Sequence, residues 1–177
     1  AGRNHGDIDN SYATGSVSGL SATGDYIGGL VGYNYSASNI TNSYATSTVI
    51  GGRNYSGGLA GRNSGSIQNS YATGSVSAGN DDAGGLVGRN SGSIENSYAT
   101  GAVSITGTGT DIGGLVGNNS GTVTNGYYAD TTSKTGAGTA TTIQDLAAAL
   151  PTGFDAAVWA NGGDQTTPYL LSHGVFD

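Results

Sequence analysis

The stretch Gly84–Ser104, GGLVGRNSGSIENSYATGAVS, decides the fold, because four other segments of the chain repeat it. They are GRNHGDIDNSYATGSVSG from Gly2, GYNYSASNITNSYATSTVIG from Gly32, GRNSGSIQNSYATGSVSAG from Gly61 and GNNSGTVTNGYYADTT from Gly117. GGLVG or GGLAG joins consecutive copies and places leucines at Leu30, Leu59, Leu86 and Leu115. Tyrosines recur at Tyr12, Tyr44, Tyr71, Tyr98 and Tyr127, with spacings of 32, 27, 27 and 29 residues. Such a period marks a stack of units, each burying its apolar face only against its neighbours. Helical repeats of this length need apolar residues at helical spacing. Here the runs are rich in Ser, Thr, Gly, Tyr and Val, which resist helix and favour strands and turns. The expected fold is all-β, a parallel β-solenoid of about five coils over residues 1–128, followed by a loop and a C-terminal capping segment over 129–177.

Composition agrees. Glycine supplies 34 of 177 residues, proline 2 and cysteine none, and only 35 % of residues are hydrophobic. A thin core repeated along an axis suits a solenoid better than a globule. The net charge is −7, with five bases in all: Arg3, Arg53, Arg62, Arg89 and Lys134. That balance disfavours nucleic acid, which demands clustered Lys and Arg, and anionic membrane surfaces. No apolar run approaches the ~20 residues that span a bilayer, so membrane insertion is not expected. The missing cysteines exclude a disulfide frame, a thiolate nucleophile and a Cys-ligated metal.

Within the third repeat the pattern predicts strands over roughly 66–73, 75–77 and 85–87, with Gly and Asn supplying positive φ at the corners. The step from Val76 to Leu86 is ten residues, whereas those from Val17 and Val103 are thirteen and twelve. One corner therefore accepts insertions, and such loops often form a solenoid's binding face. A second insertion lies in the turn 33–39. Strand alternation from Ile67 puts Asn69, Tyr71 and Thr73 on the same side, with Gln68 and its equivalents Asp9, Thr41, Glu95 and Thr124 facing solvent. The tyrosines and the Asn69-type residues are then inside, as an aromatic and an amide ladder. A competing register turns Ala72, Gly74 and Val76 inward and Tyr71 outward; the bulk a core needs favours the first.

The repeat fails after Tyr128. Thr142-Ile-Gln-Asp145 reads as a capping box opening a helix, with Ile143, Leu146 and Leu150 on one face and Pro151 ending it. Phe154, Val158, Trp159 and Pro168-Tyr-Leu-Leu171 follow. An apolar segment after the last coil reads as a cap over the open end of the core. Gly2 begins in mid-repeat without such a device, from which further coils are expected to precede Ala1 in a larger parent.

The repeat GGLVGRNSGSIENSYATGAVS resembles the GLUG repeat of large bacterial surface proteins, including filamentous-haemagglutinin-like adhesins and some surface proteases. The tail, with LPTGFDAAVW and PYLL, is similar to the segment that often follows those repeats. The resemblance covers about 1–128, with the tail extending it to about 171. It implies a right-handed β-solenoid, export and a cell-surface location, and it brings no catalytic residues to transfer. The chain departs from the pattern at Ser47-Thr48, where Gly-Ser is usual, and at Gly126, which replaces Ser.

Candidate sites are few. Asp7 and Asp9, or Asp81 and Asp82, lack a recurring His, Lys or Arg beside them, which points to solvated acids rather than catalysis. His5 and His173 have no ligand at metal spacing. Asp25, Asp81, Asp82 and Asp111 occupy the variable corner and could stack along one edge. Calcium wants six to eight oxygens and no Gly-Gly-x-Gly-x-Asp repeat occurs, so turn aspartates are the plainer account. No other cofactor is implied. Tyr26 and Tyr55 lie in the variable corner, and Tyr33 and Tyr35 in the other inserted turn. Exposed aromatics beside polar groups can hold a glycan or anchor a protein; the plainer alternative is that they cover the coil beneath. The sequence thus predicts a non-enzymatic structural or adhesive module of an exported protein, with a carbohydrate- or protein-binding module next. An ice-binding solenoid and a polysaccharide-acting enzyme trail behind.

Overall fold

The computed structural model describes residues 1–19, 26–80, 82–129, 136–161 and 167–174. They form a parallel β-solenoid of four complete coils, with a fifth begun but not closed. Each coil visits four sheets. The asparagine face stacks Arg3–Asn4, Val31–Asn34, Ala60–Asn63, Val87–Asn90 and Val116–Asn119. The isoleucine–tyrosine face follows, for example as Ser66–Gln68 with Tyr71–Ala72, merging into single strands at Ser93–Ala99 and Thr122–Tyr128. Ser16–Ser18, Thr48–Ile50, Val76–Ala78 and Val103–Ile105 make the valine face. Ile27–Gly28, Ser56–Gly57, Ala83–Gly84 and Ile112–Gly113 close the turn. The three strands expected per coil are therefore too few: the long one breaks at Asn69, and the Gly-rich joint contributes two.

That break also corrects the register. Asn10, Asn42, Asn69, Asn96 and Asn125 all have φ between 47° and 50°, the left-handed region that Asn tolerates better than most residues. A left-handed residue resets strand alternation. Ile67, Ser70 and Ala72 then point into the coil, and Tyr71 points out of it. The competing register is the observed one. Buried serines bridge the kink: the Ser43 N–H donates to Ser70 Oγ at 3.3 Å and the Ser70 N–H to Ser97 Oγ at 3.1 Å.

Inside, equal residues stack on equal residues. Ile40, Ile67 and Ile94 form one column, and Leu59, Leu86 and Leu115 another, all buried. The amide ladder runs through different asparagines from those expected. Asn4, Asn34, Asn63, Asn90 and Asn119 are linked by four Nδ2–H···Oδ1 bonds of 2.8 Å each. Asn34, Asn63 and Asn90 are fully buried. The Asn69-type residues from Asn42 onward are half-buried and pair less regularly, at 3.4 Å between Asn69 and Asn42 and 2.9 Å between Asn125 and Asn96. A buried amide costs free energy unless it is bonded, and the repeat supplies each with its partner on the next coil.

The C-terminal segment covers the last coil through its first described residues, as expected of a cap, and the rest lies along the side of the solenoid rather than over its end. The core of the last coil is filled by Tyr128, which occupies the inward column held by Ala45, Ala72 and Ala99. Its ring lies over Gly114, where any Cβ would meet it at 2.0 Å. Ala137 bridges to Val116, and Thr139–Ala140 adds a short strand beside Tyr127 and Tyr128. The chain then runs back along the side of the solenoid as a strap over the tyrosine column. The strap contains a helix over Ile143–Ala148, an antiparallel pair of Trp159–Ala160 with Tyr169–Leu170, and a 3₁₀ turn at Leu171–His173. The expected capping box is present, with the Asp145 N–H donating to Thr142 Oγ1 at 3.0 Å. The helix buries Leu146 and Ala147 and leaves Ile143 exposed, because only one short turn lies on the coil surface. No helix among the described residues is long and apolar enough to cross a membrane.

Candidate functional site

Two edges carry aromatic residues, and they differ in what covers them. On the first, the rings of Tyr12 and Tyr44, Tyr44 and Tyr71, and Tyr71 and Tyr98 stack at 5.3, 4.8 and 5.0 Å within 9° of parallel. Trp159 leans on Tyr71 and Tyr98, Phe154 on Tyr98 and Tyr127, and His173 stands edge-on to Tyr12 and Tyr44. The Tyr98 hydroxyl donates to the Pro168 carbonyl, and His173 Nε2 lies 2.9 Å from the Asn42 carbonyl. Burial raises the Tyr98, Tyr71 and Tyr44 hydroxyls above the ordinary phenol range. This edge is a structural seam. Four of the five tyrosines are stacked as the sequence predicts, but outside the coil and under the strap; Tyr127 meets Phe154 instead, and Tyr12, at the far end, is 55 % exposed.

The second edge is open. The position before the closing strand forms a column of Tyr26, Tyr55, Asp82 and Asp111. Facing it, the outward position of the asparagine face reads Arg3, Tyr33, Arg62, Arg89 and Asn118. Tyr26 packs on Tyr33 at 5.1 Å and on Tyr55 at 5.4 Å. Tyr33 stacks on Tyr35 at 3.9 Å, and Tyr35 on His5 at 4.1 Å. The Arg62 guanidinium lies 4.9 Å from the Tyr33 centroid, and that of Arg89 5.4 Å from Tyr55, whose hydroxyl accepts from Arg89 Nη1 at 3.0 Å. These cation–π contacts hold both guanidinium groups flat against rings. The four tyrosines and both arginines are half-buried.

The structure therefore unites Tyr26, Tyr33, Tyr35 and Tyr55, which the sequence placed at two separate corners. Asp82 and Asp111 sit on neighbouring rungs further along the same edge, while Asp25 and Asp81 lie outside the described residues. Asp82 is buried, Asp111 accepts from Asn118 Nδ2 at 2.7 Å, and Asn80, Thr108 and Thr110 line the shallow hollow around them. Among the described residues no group of three or more His, Asp or Glu is arranged to hold a metal ion. Sequence reasoning missed Arg62, Arg89 and His5. The signal was present: Arg3, Tyr33, Arg62 and Arg89 share one phase of the repeat, and three of the five bases of an acidic chain stand in that column.

Comparison with known proteins places the scaffold. Residues 23–50, 52–77 and 79–106 each match the model of the GLUG motif. Each match runs from the variable corner through the asparagine and isoleucine–tyrosine faces to the valine face, so one motif is one coil. Residues 23–106 are thus a GLUG-repeat region. The fold is similar to that in a crystal structure of a candidate immunoglobulin A1 protease from Bacteroides ovatus, with a TM-score of 0.66 and 27 % identity over 94 % of this chain. The chain spans 58 % of the length of that structure. No curated protein matches the chain.

Proposed function

We propose that the chain is a non-enzymatic display module of an exported bacterial surface protein. Residues 1–128 serve as a stiff rod, residues 129–177 lock that rod, and the open edge is its contact surface. The observation that carries this reading is where the repeat is kept and where it is broken. The inward columns and the asparagine ladder continue from coil to coil, whereas outward positions vary, among them the Tyr, Arg, Asp and Asn of the open edge. A scaffold evolved for rigidity and contact keeps its core uniform and varies its surface. The resemblance to GLUG proteins supports an extracellular or cell-surface site of action, with a glycan or a neighbouring cell's surface protein as partner.

In its first coils the described residues of the open edge offer tyrosine hydroxyls and guanidinium groups stacked on one another. That arrangement suits binding rather than bond cleavage. Beads coated with the chain should adhere to epithelial cells, and immunoglobulin A1 incubated with it should stay intact. Specific cleavage of the immunoglobulin would overturn the non-enzymatic reading, and beads that do not adhere would overturn the adhesive one.

A further inference from the structure

We propose that Tyr26, Tyr33, Tyr35, Tyr55, Arg62 and Arg89 bind a carboxylated polysaccharide lying along the solenoid axis. The proposal rests on the reading of the open edge as a contact surface and names its ligand. Three features of the strip carry it.

Charge comes first. In a chain of net charge −7, this edge collects Arg62 and Arg89 as register partners on adjacent strands, with Arg3 two strands away in the same column. Among the described residues, Arg62 and Arg89 contact tyrosines rather than carboxylates. A guanidinium held flat on a ring keeps its outer N–H groups aimed outward, where they match a carboxylate two bonds at a time. Nucleic acid is the wrong polyanion here: its charge density calls for a larger basic cluster than two or three arginines in an acidic protein.

The rings come second. A half-buried tyrosine offers an apolar body and a hydroxyl tip, the combination that meets a sugar's C–H face and hydroxyls. Periodicity comes third. Contacts repeat once per coil, about 4.8 Å apart, so an extended polymer meets the same chemistry at each rung. The edge also has a direction. Where the column changes from Tyr26 and Tyr55 to Asp82 and Asp111, an anionic chain is repelled, and this limits the site to the first coils.

The test is calorimetric titration of the intact chain with three carboxylated or neutral probes and one peptide: an oligogalacturonate, its methyl ester, a sialylated oligosaccharide and oligoglutamate. At least one carboxylated sugar should bind, more weakly as salt rises, and the methyl ester should bind the chain worse than the free acid. Whether the uronate or the sialylated probe binds identifies the source of the carboxylate. Arg62→Gln and Arg89→Gln should each weaken binding about tenfold, the size of one lost charged hydrogen bond. Asp111→Asn should strengthen it. Equal binding of acid and ester, tighter binding of oligoglutamate, or no binding of either carboxylated sugar overturns the proposal. If the arginine variants melt early, chemical-shift mapping on the unaltered chain decides: shifts must fall on Tyr33 and Tyr55 and spare Tyr12. A double arginine variant that loses sugar binding but still carries beads onto cells would refute this ligand while leaving the adhesive reading intact.

Discussion

Tyr71 and Tyr26 sit on the same scaffold with ring neighbours at similar distances, parallel for Tyr71 and tilted by 24° and 36° for Tyr26. Tyr71 has neighbours at 4.8 and 5.0 Å, Tyr26 at 5.1 and 5.4 Å. Both rows point away from the coil interior. One nevertheless has become core, because Trp159, Phe154 and Leu170 cover it, and Tyr98 there is fully buried. The other is left half-open, with guanidinium groups on its rings instead of an indole. Stacking by itself does not decide whether an aromatic row is structural. The second layer does, since fully burying one such ring is worth about 1.5–3 kcal/mol.

The comparison can be broken most forcefully at Trp159, which is 1 % exposed and touches Tyr71, Tyr98 and Phe154. Trp159→Ala should cost about 3–5 kcal/mol in denaturant unfolding and leave Tyr71 open to nitration. Leu86→Ala should cost about 2–5 kcal/mol and should loosen the coils while leaving the strap's own pair of strands formed. Asn63→Ala removes one rung of the amide ladder and leaves its neighbours' buried polar atoms short of a partner. About 1–3 kcal/mol should be lost in the same assay.

Alkali sharpens the contrast. The folded-state hydroxyls of Tyr44, Tyr71 and Tyr98 titrate above the ordinary phenol range because burial disfavours the phenolate. Their contribution is fully present below the unfolded value of about 10. Above it the unfolded chain loses protons that the folded one keeps, so stability falls as pH rises. Absorbance at the phenolate band, followed with unfolding, should show these rings ionising only as the strap lifts. The smallest effects belong to the outer surface: Gln68→Ala and Tyr33→Ala should each change stability by less than about 1 kcal/mol, though Tyr33→Ala should weaken the sugar binding proposed above.

The solenoid was legible because the repeat states it five times, and the same spacing placed Leu86 and Ile67 in the core. The register was not, since one residue inverted it. Alternation counted through Asn69 assumes an extended backbone there, and its φ of 48° flips every side chain that follows. An Asn at the same phase of all five repeats carried that signal. The strap's apolar residues follow the last coil in sequence, which suggests an end cap, because sequence order does not tell the end of the solenoid from its side. The true plug was visible as Tyr128 in a column of alanines. Of the candidate site, the tyrosines could be found from the sequence. Their meeting could not, because Tyr26 meets Tyr33 across the bend of the glycine joint and Tyr55 only when the next coil stacks. The arginines were hidden inside the repeat motif itself, where Arg62 and Arg89 look like scaffold.

Hydrogen exchange on Trp159→Ala tests most directly whether the tyrosine seam is a layer added onto a self-sufficient coil. The account predicts that amides of 143–161 and 167–171 lose their protection while those of Ile67, Leu86 and Ile94 keep theirs. Loss of protection in the coil amides together with the strap would mean that the tyrosines belong to the coil's own core, and would contradict the account.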